Sequence, residues 1–255
     1  LNIINGGISM HDQACCYLDD IIANYEYGRE YTKNVLGVVP TTAWSIDPFG
    51  ASRGSARIFA EMGFDALGLN RLPYEMKRQK RQDKELIFWW KNSNSSDTDL
   101  LTYIIAFHYA TLPPLNFHPK FPLNFGQEPP NTDMLSNDFN LMESMVSFTS
   151  ALVKLAAAYK EKNIMMLVGD DFSFANFNRE IEYFDQILSA LACNNATGPF
   201  VGLNLEVKTL VEHLQAVKGE NLIYNEDDYA EGLPHRNLEK GFGESVWTGF
   251  FTSKP

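Results

Sequence analysis

The chain has 255 residues, 45% of them hydrophobic, and a formal net charge of −11 at pH 7. That length and apolar content allow a large core without disulfide staples and fit one domain. Lys and Arg cluster only at Lys77-Arg78-Gln79-Lys80-Arg81, which argues against a phosphate-binding nucleic-acid surface and suits a neutral polar substrate.

Residues 1–4 are a β-rich run stopped by the turn-forming Asn5-Gly6-Gly7. Over residues 12–31 the apolar Ala14, Leu18, Ile21, Ile22 and Tyr25 recur at helical spacing, with Asp19 and Asp20 on the outer face. Residues 36–46 read as a short apolar strand running into Asp47, and Pro48-Phe49-Gly50 forbids its continuation. Asp47 is therefore a strand-end acid. Ser52 is placed to cap a helix over 53–62, and Asp47 either caps that helix from the loop or serves chemistry. A strand over 64–70 follows, leading to Arg71 and Tyr74, and strand, helix, strand in this order predict a βαβ unit in a mainly parallel sheet. The basic run at 77–81 reads as a solvated loop or helix end.

Residues 86–90, Leu-Ile-Phe-Trp-Trp, lack polar alternation and predict a buried parallel strand. The segment 109–137 is rich in proline and aromatics and long enough to form a site wall or lid. His108 and His118 there read as loop residues, since no acid or histidine stands beside them at metal-ligand spacing. A helix over 140–160 carries the stripe Leu141, Met145, Phe148, Leu152 and Leu155. Residues 164–168 predict a buried strand ending at Gly169-Asp170-Asp171-Phe172, which makes Asp171 a second strand-end acid. Helix over 177–192, strand over 200–205, helix over 206–217 and strand over 222–224 complete an α/β order with no internal linker. Cys15, Cys16 and Cys193 make no disulfide framework. Asn94-Ser95-Ser96 and Asn195-Ala196-Thr197 permit glycosylation, no apolar run reaches membrane-span length, and the first residues lack the features of a signal peptide.

Two acids at the ends of two parallel strands suit glycoside hydrolysis, in which one attacks or stabilises the anomeric carbon and the other protonates the leaving oxygen. Trp44, Phe49, Tyr74 and Phe172 beside them suit sugar faces. The same residues equally suit structural ion pairs and core aromatics.

Trp44-Ser45-Ile46-Asp47-Pro48-Phe49-Gly50 resembles the W-x-I-D-P-F-G-H-S signature of the family 38 glycoside hydrolases, the α-mannosidases. In the same order, Asn5-Gly6-Gly7-Ile8-Ser9-Met10-His11-Asp12-Gln13-Ala14 resembles N-G-G-W-V-M-x-D-E-A, and Met62-Gly63-Phe64-Asp65 and Arg71-Leu72-Pro73-Tyr74 resemble M-G-F-D and R-L-x-Y. Gly169-Asp170-Asp171-Phe172 and residues 247–255 resemble G-D-D-F and W-T-G-Y-F-T-S-R-P. The resemblance implies the family's seven-stranded glycoside hydrolase/deacetylase-like α/β barrel, with residues 1–255 a single catalytic domain that lacks its first strands. It implies a retaining, zinc-dependent α-mannosidase acting on α-mannosidic bonds of N-glycan-type oligosaccharides or glycoproteins, lysosomal or in the secretory route. By motif position Asp47 matches the nucleophile and a zinc ligand, and Asp171 the acid and base. Phe49, Arg71, Tyr74 and Asp170 match substrate-binding or neighbouring site residues.

Departures stand beside these matches. A His-x-Asp zinc motif expected on an earlier strand is absent, and Ser245 stands where the resemblance leads one to expect a further histidine, with His235 the nearest substitute. Ala51 replaces the histidine of the W-x-I-D-P-F-G-H-S signature, and Ile8 the tryptophan that follows Gly-Gly in N-G-G-W. The remaining parts of the same protein, or another chain, are then expected to complete the domain. A metal-free binding or structural module on the same fold is the alternative; a polysaccharide deacetylase would need a His-rich metal motif that the five histidines do not form.

Overall fold

The computed structural model describes residues 2–13, 16–94, 96–112, 135, 140–171, 177–194, 204–227 and 229–230. The chain forms two compact units, one of Leu1–His108, Ala158–Asn163 and Thr209–Pro255, the other of Tyr109–Ala157 and Ile164–Lys208.

The first unit opens without the strand expected at 1–4; Asn5 instead donates its N–H to the Thr42 carbonyl at 2.9 Å. Helix α1 (Leu18–Tyr31) starts later than the periodicity predicts, because Tyr17 is extended and offers no side-chain cap. Its buried stripe is Ile21, Tyr25 and Gly28. Gly28 lets the helix lie against the Gly6-Gly7 backbone, where any Cβ would strike the Gly6 carbonyl oxygen. The helix runs on into a π-helical turn, Thr32–Leu36, closed by Gly37 in the left-handed conformation. That turn takes the start of the expected 36–46 strand, and β1 is confined to Thr42–Ser45.

After β1 come β2 (Gly50–Ala51), α2 (Arg53–Glu61) and β3 (Ala66–Leu69). Ser52 caps α2 as expected, accepting the Ser55 N–H at 3.1 Å. The basic run lies in the C-terminal part of α3 (Tyr74–Asp83), with Lys80 and Arg81 in its last turn, so it reaches a helix end as expected but is not solvated throughout, Lys80 being buried. Strands β4 (Ile87–Trp90) and β5 (Leu100–Ile104) follow, the latter unforeseen in the sequence. Helix α6 (Leu210–Lys218) is closed by a reciprocal capping box between Thr209 and Glu212, and β6 (Ile223–Asn225) and β7 (Tyr229–Ala230) complete the unit.

The sheet has the order β1-β3-β5-β4-β6, while β2 and β7 form a separate antiparallel pair. β1, β3 and β5 run parallel, and β4 runs parallel to β6 but antiparallel to β5. The expected parallel strand at 86–90 is thus parallel on one side only. Residues 91–99, with a 3-10 turn at Ser96–Thr98, are too short for the crossover a parallel β4–β5 pair requires. β3 and β5 are buried along their whole length, and Leu67, Leu69, Phe88, Trp90, Leu101 and Ile104 fill the core around them. Beside it, His11 is buried with its ring 5.5 Å from Tyr25 and 6.1 Å from Phe59, and neither ring nitrogen has a hydrogen-bond partner among the described residues.

In the second unit α4 (Leu141–Ala157) and α5 (Phe177–Asn194) pack through Met145, Phe148, Leu152 and Leu191. Residues 164–168, expected as a buried strand, pair with no strand among the described residues and are only partly buried, Val168 being exposed. An apolar run becomes a strand only where a neighbour takes its N–H and C=O groups. Of the remaining expectations, the 109–137 loop beyond Leu112 apart from Leu135, His118, Phe172, most of the 200–205 strand, Ser95, the 195–197 sequon, His235, Ser245 and residues 247–255 lie outside the described residues, as do Ala14, Cys15 and the Cys193 side chain. Cys16 is a free, half-buried thiol. Among the described residues no helix is long and apolar enough to cross a membrane.

Candidate active site

The register of the parallel pair β1–β3 sets Ser45 opposite Leu69. Continuing two residues along each strand brings Asp47 beside Arg71, and the side chains meet. Arg71 donates from Nε to Asp47 Oδ1 at 2.7 Å, with Nη2 2.5 Å from the same oxygen. Both nitrogens of the planar guanidinium converge on this one oxygen, so the contact holds Oδ1 in place beside Arg71. The Arg71 guanidinium also lies over the Phe49 ring, 4.5 Å from its centroid. Three of the residues singled out in the sequence, Asp47, Phe49 and Arg71, are therefore one cluster at the C-terminal end of β1 and β3. The Asp47 side chain is 49% exposed and open to a reactant. Tyr74 opens α3 directly after Pro73, which places it three residues beyond Arg71 on the same rim.

The turn carrying Asp47 is braced from a residue the sequence reading passed over. Gln13 donates from Nε2 to Ser45 Oγ at 3.1 Å and accepts the Ser52 N–H on Oε1 at 3.4 Å, so one amide spans both flanks of the Asp47 turn. Lys77 was also missed. Its ammonium donates to the Asn70 carbonyl (2.8 Å), Asn70 Oδ1 (2.9 Å) and the Phe107 carbonyl (2.6 Å), tying the end of β3 to the segment after β5. The sequence signal was present in part: a lysine seven residues after a strand-end Asn, on a helix that returns over that strand.

In the second unit Asp170 and Asp171 follow a backbone anchor. Thr111 and Gly169 exchange bonds, Thr111 N–H to the Gly169 carbonyl (2.8 Å) and Gly169 N–H to Thr111 Oγ1 (2.6 Å). Gly169 has φ +149, a conformation that favours glycine. Asp170 Oδ1 then accepts the Asp171 N–H at 2.8 Å, which fixes the backbone at Asp171 while both acids stay exposed. Asp171 is thus held by a loop anchor, not by the strand end the sequence predicts.

Among the described residues no group of three or more His, Cys, Asp or Glu is gathered closely enough to hold a metal ion. Asp47 is the one expected zinc ligand that is described, and a guanidinium is its nearest cation. These residues alone do not make a zinc site, which wants about four N, O or S donors in a tetrahedron.

The sequence matches the model of the glycosyl hydrolases family 38 N-terminal domain over residues 1–234. It is 30% identical over 258 residues to the lysosomal alpha-mannosidase of Dictyostelium discoideum, covering 100% of this chain and 24% of that protein. It is 28% identical over 269 residues to the lysosomal alpha-mannosidase of Mus musculus and 26% identical over 259 residues to the epididymis-specific alpha-mannosidase of Sus scrofa, in each case covering 100% of this chain and 25% of the relative. The chain thus spans about a quarter of the length of these relatives. A solved alpha-mannosidase from Enterococcus faecalis V583 shares the fold, with a TM-score of 0.56 and 12% identity over 89% of this chain and 22% of that one. The mixed α/β fold with its mostly parallel sheet, the Asp47 signature and the match along nearly the whole length agree, and the chain belongs to family 38 of the glycosyl hydrolases.

Proposed function

We propose that this chain is the catalytic α/β domain of a retaining α-mannosidase that cleaves α-mannosidic bonds of N-glycan-type oligosaccharides or glycoproteins in the lysosome or secretory route. The observation that carries the reading is the Arg71–Asp47–Phe49 cluster within the family signature: a reachable carboxylate, held at one oxygen by a guanidinium that lies over an aromatic ring. In the proposed reaction the Asp47 carboxylate attacks the anomeric carbon while the Asp171 carboxyl protonates the departing oxygen. Asp171, now ionised, takes a proton from the water that releases the sugar from Asp47. Arg71 orients the nucleophile, and Phe49, Tyr74 and Asp170 bind substrate. The family's barrel, and the single domain over 1–255, belong to the same reading.

Zinc is expected with this activity by resemblance. The described residues contribute only Asp47 to a ligand set, so completing it falls to residues beyond those described. The test is hydrolysis of an aryl α-mannoside by the full-length protein with its metal content measured in parallel. Turnover abolished by Asp47→Asn supports the reading; no turnover together with less than about a tenth of an equivalent of metal sinks it and leaves the binding module.

A further inference from the structure

Three positions beyond Asp47 the chain enters β2, and β2 pairs with β7 through Gly50↔Ala230 and Ala51↔Tyr229. Two-residue strands make few hydrogen bonds, so the placement of β2 depends on what holds β7 as well as on the Gln13 brace at Ser45 and Ser52. Tyr229 is fully buried, its ring 5.0 Å from that of Trp90 and 6.2 Å from that of Phe88. Its hydroxyl donates to Asn225 Oδ1 at 2.9 Å, and the same oxygen accepts the Asp227 N–H at 2.8 Å. Asn225 Nδ2 donates to Asp227 Oδ2 at 3.0 Å, and the Asp227 carbonyl accepts Trp90 Nε1 at 3.0 Å. The corner from β6 to β7 is thus closed on itself and on β4.

Against this corner lies Lys80. Its side chain is 7% exposed, its ammonium 3.6 Å from Asp227 Oδ2 and 5.1 and 5.5 Å from the ring centroids of Phe88 and Tyr229. Burying an ammonium is costly, and burial indeed pulls its pKa down against the upward pull of Asp227. Arg78, two residues earlier in the same basic run, lies on the surface with Glu75. A fold that tolerates a buried lysine here obtains from it a cation that bridges an aromatic face and a turn carboxylate at once.

We propose that Lys80 and Tyr229 are positioning residues for the Asp47 turn: they fix the 225–229 corner, the corner fixes β7, and β7 fixes β2 and with it the carboxylate. The catalytic consequence rests on the glycosidase reading above. A displacement of about 1 Å in a nucleophile is enough to lower a rate on the order of 100-fold, so a remote anchor has leverage on turnover without touching substrate.

The test uses the full-length protein with Lys80→Met, which keeps the unbranched apolar stem and removes the ammonium, and Lys80→Arg, which keeps a cation over the rings. The expected result for Lys80→Met is a kcat lower by about 10- to 100-fold with KM within about two-fold, and amide exchange over residues 48–52 faster by about 10-fold or more, at an unchanged thermal midpoint. Lys80→Arg should recover most of both. Should Lys80→Met fail to fold, Tyr229→Phe, which removes the hydroxyl that bonds Asn225 and keeps the ring, is read the same way. Unchanged exchange, or faster exchange with unchanged kcat, overturns the proposal, as does loss of kcat that only tracks loss of folded protein. Turnover that survives Asp47→Asn, or a wild-type protein with none, sinks the glycosidase reading instead; the exchange comparison then still decides whether Lys80 holds β7 against β2.

Discussion

Asp47 and Arg71 are 24 residues apart in the chain, yet the β1–β3 register alone makes them neighbours once the strand ends are known. Their meeting was legible, because both follow short apolar runs joined by one helix. Gln13 and Lys80 were not, and Lys77 was so only in part: whether a polar side chain is solvated or buried depends on which strands its element lies over, and periodicity does not record that. The Arg71 contact has a measurable corollary. Arg71→Lys keeps the charge and loses the planar double contact with Oδ1, so kcat/KM on an aryl α-mannoside is expected to fall by at least about 10-fold at little cost in stability. His11 carries a second prediction. Burial lowers its pKa from 6.5 to about 4, so between those values the unfolded chain binds a proton that the folded one refuses. Stability is therefore full above pH 6.5 and declines as pH falls toward 4, by up to roughly 3 kcal/mol for this one group. His11→Phe should flatten that part of the profile in thermal melts at stepped pH; an unaltered slope would falsify the assignment.

At the scale of elements, helices were read more faithfully than strands. The stripes of α4 and α5 and the Ser52 cap are local properties, fixed by spacing and one hydroxyl. The direction of β4 is not local; it follows from the shortness of the 91–99 connection. Residues 164–168 and 100–104 are both apolar runs, and among the described residues the second has partners on both sides, β3 and β4, and the first has none. Two substitutions probe elements singly. Gly68 faces Trp44 across β1 and β3, and a Cβ there would strike the indole ring. Gly68→Ala is expected to cost about 1–3 kcal/mol in denaturant unfolding and to change Trp44 fluorescence, since the ring must leave its place. Thr209→Ala removes one half of the α6 capping box and should cost about 1 kcal/mol, read as faster amide exchange in the first turn of α6.

For the molecule as a whole, composition and element order gave α/β with a mostly parallel sheet, and the signature residues gave the family. The division into two units was hidden, because the chain crosses between them four times, at 108/109, 157/158, 163/164 and 208/209, and of these only the first coincides with a shift in composition, the proline- and aromatic-rich segment from 109. Native-state amide exchange should rank the first unit's regions by burial: β3 and β5, buried throughout, slowest, and the exposed Tyr17 and the 32–36 turn among the fastest. The pairing of β4 with β6 bears on synthesis. Phe88 and Trp90 leave the ribosome well over a hundred residues before Ile223 and Asn225, the residues they pair with. Until then one edge of β4, with its bulky aromatics, stands open as a template for other chains, and the Asp47 turn still lacks β7. A nascent chain is thus most prone to aggregate in the interval between the emergence of β4 and that of β6, and loss of residues 223–230 removes the outer strand of the sheet and the partner of β2 together.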